Sequence, residues 1–400
     1  MNAEKVFDPT HWMRPGTLQL SALPPLSLYV HLPWCLKKCP YCDFNSHAWS
    51  GIQSELPSQA YVSALLKDLE LSLPLVWGRA IHSVFIGGGT PSLFSPEAVS
   101  ELISGIRARL MLVPDCEITL EANPGTFERD RFRAFRQAGV TRLSLGVQSF
   151  NDGHLSELGR VHNSQQAREA ANEAAECFDH WNLDLMYALP GQTRDDLQKE
   201  LQSLSELKPP HVSIYQLTLE PNTQFAKYPP RQMPDQDLAY EMLDDILDFT
   251  RDMGLQRYEI SAFAMPANQC WHNTNYWQFG DYLGIGAGSH SKISFAHRVM
   301  RQVRVREPMS YMQHVALMPV SQCNEVKRDE LPFEFMLNAL RLVNGFPLAW
   351  FSERTGLPLS ALDQGLETAL QKKWLELEGP TLRPSPLGLD FLSDVQQLFL

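Results

Sequence analysis

Three cysteines, Cys35, Cys39 and Cys42, fall within eight residues, spaced C-x3-C-x2-C in HLPWCLKKCPYC. Thiolates that close together on one tight loop suit an iron–sulfur cluster, because the loop can wrap one face of a cube. Three thiolates on a four-iron cube leave one iron open to an exogenous ligand. Zinc also accepts thiolates, but a structural zinc site normally closes with a fourth ligand. His47 is available for that place, although its spacing fits no familiar zinc motif. The other cysteines, Cys116, Cys177, Cys270 and Cys323, are scattered, and the total of seven is odd. That pattern belongs to a reducing compartment with one metal site, not to a disulfide framework.

Other residue types with chemical use recur along the chain. FIGGGTPS carries Gly88, Gly89 and Thr90, and glycines let a polar ligand approach the backbone without a Cβ in the way. TLEANP presents Glu121, GVQSF presents Gln148 and NLDLMYALPG presents Asp184. Further on, HNTNYW groups His272, Asn273, Tyr276 and Trp277. An imidazole can be an axial iron ligand, and aromatic rings can cover a flat apolar macrocycle. On its residues alone, a histidine beside aromatics is more often a core or hydrogen-bonding group. Cys270 is a lesser alternative ligand. GIGAGS falls short of G-x-G-x-x-G, since Ser289 stands where the third glycine belongs, so a dinucleotide site is not expected there.

These side chains need elements that gather them. Short apolar runs predict strands at Leu26–Val30, Ser83–Ile86, Glu117–Glu121, Arg142–Val147, Asn182–Met186 and Val212–Leu217. Amphipathic segments near 57–73, 95–110, 127–138, 163–178 and 193–207 read as the helices between them. Repeated β-then-α units imply parallel strands with right-handed crossovers, in a closed eight-stranded barrel, a partial barrel or an open doubly wound sheet. The strands read as nearly continuously apolar, as if covered on both faces. Ligands in such folds sit where strands end, and Glu121, Gln148 and Asp184 fall on the rim that also bears the cysteines.

The rhythm then breaks. An acidic helix is expected from about Asp235 to Arg251, followed by a strand over Tyr258–Ala264 and an aromatic, glycine-rich loop from Cys270 to Ser291. From about Leu331 three helices and a turn-linked piece resemble a winged-helix module. Between Glu325 and Asp394 it holds seven basic and eleven acidic side chains, the wrong balance for DNA and a better one for packing or partner docking. The whole chain of 400 residues carries a net charge of −12, which disfavours nucleic acid. No run approaches the ~20 apolar residues of a membrane span. The first residues, MNAEKVFDPTHWMRPG, lack an apolar signal core, so a cytoplasmic location is expected.

Taken together, LSLYVHLPWCLKKCPYC, IGGGTPS, LEANPGT, RLSLGVQSFN, LGRVH and NLDLMYALPGQT resemble the radical S-adenosylmethionine (SAM) superfamily. Within it they resemble the oxygen-independent coproporphyrinogen III dehydrogenase branch, most closely its heme-chaperone members. The resemblance implies an α/β fold, a partial (β/α)6 TIM-like barrel with a C-terminal helical, winged-helix-like domain. It divides the chain into an N-terminal extension (1–25), the partial barrel (26–230), a barrel-completing region with HNTNYW (231–325) and the C-terminal domain (326–400). It implies a [4Fe–4S] cluster on Cys35, Cys39 and Cys42, with SAM on the open iron. SAM contacts would come from Tyr29, Gly88, Gly89, Thr90, Glu121, Gln148, Arg160 and Asp184, several of them serving a second SAM in the dehydrogenase. Heme would meet His272.

Two differences from the dehydrogenase argue against porphyrinogen decarboxylation. Its third cysteine is followed two positions on by another, where this chain has Phe44, and its segment before the first strand is longer. HNTNYW matches an H-N-x-x-Y-W motif that the heme-chaperone members associate with heme. The function implied is therefore binding of heme and its delivery to acceptor hemoproteins, membrane-bound respiratory proteins among them, with a homodimer as one working form. The alternative is a radical SAM enzyme acting on a porphyrinogen.

Overall fold

The computed structural model describes residues 16–125 and 128–400; residues 1–15, most of the expected N-terminal extension, lie outside the described residues. Six strands form the centre: β1 (Leu26–Leu32), β2 (Ile81–Gly88), β3 (Leu112–Ala122), β4 (Arg142–Gln148), β5 (His180–Tyr187) and β6 (His211–Gln216). Each pairs in parallel with the next. Between them run α1 (Ser58–Val76), α2 (Pro96–Arg109), α3 (Glu128–Ala138), α4 (Ser164–Cys177) and α5 (Arg194–Leu207). Local sequence sets where these helices start. Ser95 accepts from the Ala98 amide at α2, and Asn163 with Gln166 and Thr193 with Asp196 close capping boxes on α4 and α5. Each box satisfies two amides that a helix start otherwise leaves orphaned.

The strands are not apolar on both faces, which corrects the reading from sequence. Leu143, Leu145 and Val147 of β4, Leu183 and Leu185 of β5, and Val212 and Ile214 of β6 belong to the main core. Their neighbours Arg142, Ser144 and Gln148, then Asn182 and Asp184, then His211, Ser213 and Tyr215 line an internal cavity. Side chains alternate across a strand, so one face packs under the helices and the other makes a polar interior. Each fully buried Leu, Val or Ile on the packed face contributes about 1.5–3 kcal/mol. That apolar layer is what lets the opposite face remain polar.

Residues after the sixth strand add to both edges. Following α6 (Gln236–Asp252), β7 (Gln256–Arg257) and β8 (Ala262–Ala264) extend the sheet antiparallel beyond β6. The expected single strand over Tyr258–Ala264 is thus a small hairpin, because Tyr258–Ser261 turn the chain. The expected loop from Cys270 holds a helix, α7 (Trp271–Trp277), and a strand, β9 (Asp281–Ile285). β9 pairs in parallel with β1, and β10 (His290–Phe295), β11 (Arg298–Arg304) and β12 (Val320–Glu325) follow antiparallel. The end strands β7 and β12 do not pair with each other, so the twelve-stranded sheet stays open.

A second core lies in the C-terminal segment, built on Leu331, Phe335, Met336, Phe351, Leu362 and Leu382. Its helices Leu331–Ala339, Ala349–Thr355 and Asp363–Gln371 and its hairpin Leu375–Glu378/Thr381–Pro384 follow the expected winged-helix order. Leu18 and Leu20 from before β1 join this core. Among the described residues no helix is long and apolar enough to cross a membrane.

Candidate functional site

The three cysteines follow β1, and all three line one cavity of about 550 Å³ that runs into the barrel. Several bonds seat their loop. The Cys42 amide donates to the Cys39 carbonyl at 3.2 Å, and Trp34–Cys35 pairs with His47–Ala48. Asn45 anchors the far side: its Nδ2 donates to the carbonyls of Ala287 (2.9 Å) and Arg306 (2.8 Å), while its own carbonyl accepts from His31 Nε2 at 2.9 Å. A Cβ at Gly288 would lie 2.3 Å from Asn45 Nδ2 and one at Gly286 2.5 Å from the His31 carbonyl. GIGAGS therefore serves to let the cysteine loop press against β9.

The glycines of FIGGGTPS do a similar job. The amide of Gly89 donates to Leu32, that of Thr90 to Trp34, and that of Gly88 to Glu121 Oε2 at 2.9 Å. A Cβ at Gly88 would meet the His31 ring at 2.6 Å, and one at Gly89 the Trp34 carbonyl at 2.6 Å. These amides are thus spent within the protein. What the glycines supply is close approach between the end of β2 and the segment carrying Cys35. Thr90 Oγ1 accepts from Asn123 Nδ2 at 2.9 Å.

Glu121, Gln148, Arg160 and Asp184 come together in the cavity lining with Gly88, Gly89 and Thr90. Arg160 reaches the cysteines, with Nη1 3.6 Å from Cys39 Sγ and Nη2 bonded to Asn123 Oδ1 and the Gly146 carbonyl. Gln148 has φ +71° at a register shift between β4 and β5, a backbone state rarely held by a side chain other than glycine or asparagine and concentrated at functional sites. Asp184 accepts from Ser144 Oγ (3.2 Å) and Asn182 Nδ2 (2.8 Å). Burial, and then the nearby charge of Asp184, push the Glu121 carboxyl up to about 7.

That shift has a definite sign. Between pH about 4.5 and 7 the folded chain holds a proton on Glu121 that the unfolded chain releases, so stability falls as pH rises through this window and is level above it. Glu121→Gln mimics the protonated state. In cofactor-free protein it should match wild type in urea unfolding at pH 5 and exceed it at pH 8 by up to about 3 kcal/mol. Equal stability of the two proteins at both pH values would refute the assignment.

Several side-chain atoms around this cavity are buried without a partner, namely Arg160 Nε, Thr119 Oγ1 and Arg142 Nη1. Orphaned polar atoms are costly unless something completes them, and a polar, zwitterionic nucleoside would suit such a lining. Among the described residues no three His, Cys, Asp or Glu side chains converge as ligands of a single ion do. His47 turns its Nε2 to Asn45 Oδ1 at 3.3 Å. A cube offers its corners in different directions, so three unbridged thiols bordering one cavity suit a cluster better than one zinc ion.

Tyr29 and His272 are not part of the cavity lining; both rings pack on Phe85, which is. The Tyr29 hydroxyl is taken by His31 Nδ1 at 3.0 Å. His272 lies on α7 at the opposite end of the strands from the cysteines. Its Nδ1 is 3.2 Å from Ser83 Oγ, whose own proton goes to Ser27 Oγ, so Nδ1 carries the ring proton and Nε2 keeps its lone pair. Burial lowers its pKa to about 3, which keeps the imidazole neutral. A neutral ring with one nitrogen fixed by a hydrogen bond is the form that ligates iron through the other. The ring thus has the form that an iron ligand needs, although it does not border the cavity.

Several residues bordering the site escaped the sequence reading: Asn45, Thr119, Asn123, Arg142, Ser144, Asn182, His211, Ser213 and Tyr215. For most of them a signal existed. In RLSLGVQ and HVSIYQ every second residue is polar or glycine over at least two steps, and in NLDLMY over one, and that period of two marks one face.

The barrel, its cysteine loop and the rim residues define the class. Residues 29–204 match the radical SAM superfamily and residues 326–391 match the HemN C-terminal domain. The solved coproporphyrinogen III oxidase HemN of Escherichia coli shares the fold with a TM-score of 0.80 at 23% identity, over 94% of this chain and 90% of that one. The heme chaperone HemW of Escherichia coli is 44% identical over 94% of this chain and 99% of its own length. HemW of Haemophilus influenzae is 43% identical over 94% and 98%. A mouse relative, radical S-adenosyl methionine domain-containing protein 1, mitochondrial, is 37% identical over 79% of this chain and 73% of its own. This is a radical SAM protein, and within that superfamily the chain belongs to the HemW family.

Proposed function

We propose that this protein is a heme chaperone that binds heme, carries a [4Fe–4S] cluster with SAM, and delivers heme to acceptor hemoproteins. When bound, the cluster and SAM supply one-electron chemistry. The chain's own part is positioning. Cys35, Cys39 and Cys42 hold the cluster, Arg160 offsets the charge at Cys39, and Glu121, Gln148 and Asp184 orient SAM. Gly88, Gly89 and Thr90 shape its seat, and Tyr29 braces the wall through Phe85. Residues 26–230 bear this site, 231–325 bring the His272 helix and the edge strands, and 326–400 form an acidic docking module for an acceptor.

The observation that carries the reading is Phe44. Its ring borders the cavity mouth and is 60% exposed, at the position where the dehydrogenase branch has a further cysteine. An exposed apolar ring there is chemically unlike a thiol that serves a reaction, and it suits a surface that handles an apolar macrocycle. A porphyrinogen-transforming enzyme is the second reading, favoured by the way the cavity continues below the thiols to Arg142, His211 and Asn273.

Two assays on anaerobically reconstituted protein separate these readings. The chaperone should bind heme, lose at least about tenfold in affinity on His272→Ala, as loss of an iron ligand implies, and turn over no coproporphyrinogen III. Efficient decarboxylation would end the chaperone reading, and unchanged affinity in the variant would remove His272 from its role.

A further inference from the structure

The polar interior of the barrel holds an unbroken series of hydrogen bonds that no role above requires. Asp184 on the rim accepts at Oδ1 from Asn182 Nδ2 at 2.8 Å. Asn182 Oδ1 lies 2.7 Å from His211 Nδ1, and His211 Nε2 lies 2.9 Å from the Tyr258 hydroxyl. His211 is 1% exposed and Tyr258 3%. On the far side, the Asn273 side chain and the Cys270 backbone lie close to the Tyr258 hydroxyl. Asn273 is the neighbour of His272 on α7, and Cys270 is that helix's N-cap.

Chemistry gives the series one direction. An amide oxygen only accepts, so His211 Nδ1 must carry the proton. Burial holds the ring neutral, which leaves Nε2 as an acceptor, so the Tyr258 hydroxyl donates to it. The donors of Tyr258, His211 and Asn182 therefore all point toward the Asp184 carboxylate. Bonds aligned in this way polarise one another and strengthen together in a low-dielectric interior. A change in the charge balance at Asp184 alters each link in turn. The end at α7 is responsive as well, since the amides of Trp271 and His272 both donate to Glu117 Oε1 (3.0 and 3.3 Å) and Glu117 pairs with Arg142 at 2.8 Å.

We infer that Asn182, His211 and Tyr258 are positioning residues joining the Asp184 rim to the helix that bears His272, so that a ligand held at Asp184 tightens that helix. This rests on the reading of Asp184 as part of the SAM site. Coupling of this kind is reciprocal: what SAM does to the helix, heme at His272 does to SAM affinity.

The test uses the full chain, reconstituted anaerobically, with SAM affinity and amide hydrogen exchange over residues 271–277 measured on the same samples. SAM should slow exchange there at least about fivefold, the lower end of ordinary coupling between sites. In Tyr258→Phe, which removes one oxygen and one link, SAM should still bind while the response disappears. Ser213→Ala removes a branch at Asn182 Oδ1 (3.2 Å) and a group beside Asp184, but no link between Asp184 and Tyr258, so with SAM at saturation it should keep the response. A helix merely loosened by mutation would exchange faster with and without SAM, and SAM would still slow it. Tight SAM binding with no change over 271–277 in wild type, or an undiminished response in Tyr258→Phe, overturns the inference. Failure of wild type to bind SAM appears directly in the affinity measurement, and it overturns the site assignment together with the coupling built on it.

Discussion

Replacing any one of Cys35, Cys39 or Cys42 with alanine is expected to abolish the visible absorbance of the reconstituted cluster while leaving the fold intact. Three thiolates occupy three of a cube's four irons and leave one for SAM; removing one leaves a second iron without a protein ligand, so two should not retain it. The three side chains are only partly buried and stand outside both main cores, which rest on residues such as Leu143, Leu183 and Val212 in one and Phe335 and Phe351 in the other. Loss of a half-exposed thiol removes little apolar burial, so the unfolding free energy from urea curves should change by less than about 1 kcal/mol. Iron and sulfide analysis with unfolding curves checks both halves. Full cluster content in any single variant, or collapse of the fold in all three, would contradict the assignment.

The second large effect lies far from the thiols in sequence. Arg304→Met should destabilise the protein by about 3–5 kcal/mol, the cost of leaving a buried charge without its partner. Arg304 and Asp68 are both fully buried, with Nε 3.0 Å from Oδ1. Arg304 also bonds Ser72 Oγ (2.8 Å) and Gln302 Oε1 (3.0 Å). Asp68 Oδ2 accepts from the Tyr311 hydroxyl (2.8 Å) and the Gly286 amide (3.3 Å). The Gly286 turn in turn holds Asn45 and the cysteine loop, so cluster retention should drop along with stability. Adding Asp68→Leu removes the stranded carboxylate, and the double variant should lose less than the sum of the two single changes. Additive losses would mean that the two groups do not act as a pair.

β1 to β6 and their helices were readable because each rests on local signals: an apolar run, a cap residue, a glycine turn. The rim was readable for the same reason, since Glu121 and Gln148 stand at the ends of two consecutive strands, Asp184 lies within the next, and all three share one cavity with the cysteines. HNTNYW read as loop because the partner of its helix start is Glu117, 154 positions from Trp271. Its own N-cap, Cys270, makes no capping bond. The glycines of GIGAGS kept their purpose hidden until Asn45 was seen against Gly288.

By itself the sequence determined the parallel α/β order, the spacing of the three thiols and the acidic surface, since propensity, periodicity and charge act over a few residues. Only the tertiary structure decided which face of each strand turned inward and which way His272 pointed. It also decided that Asp184 and Tyr258 stand at the two ends of one series of hydrogen bonds. Those outcomes depend on pairs separated by scores of residues, and a linear chain leaves such pairs unspecified until its apolar faces close against each other.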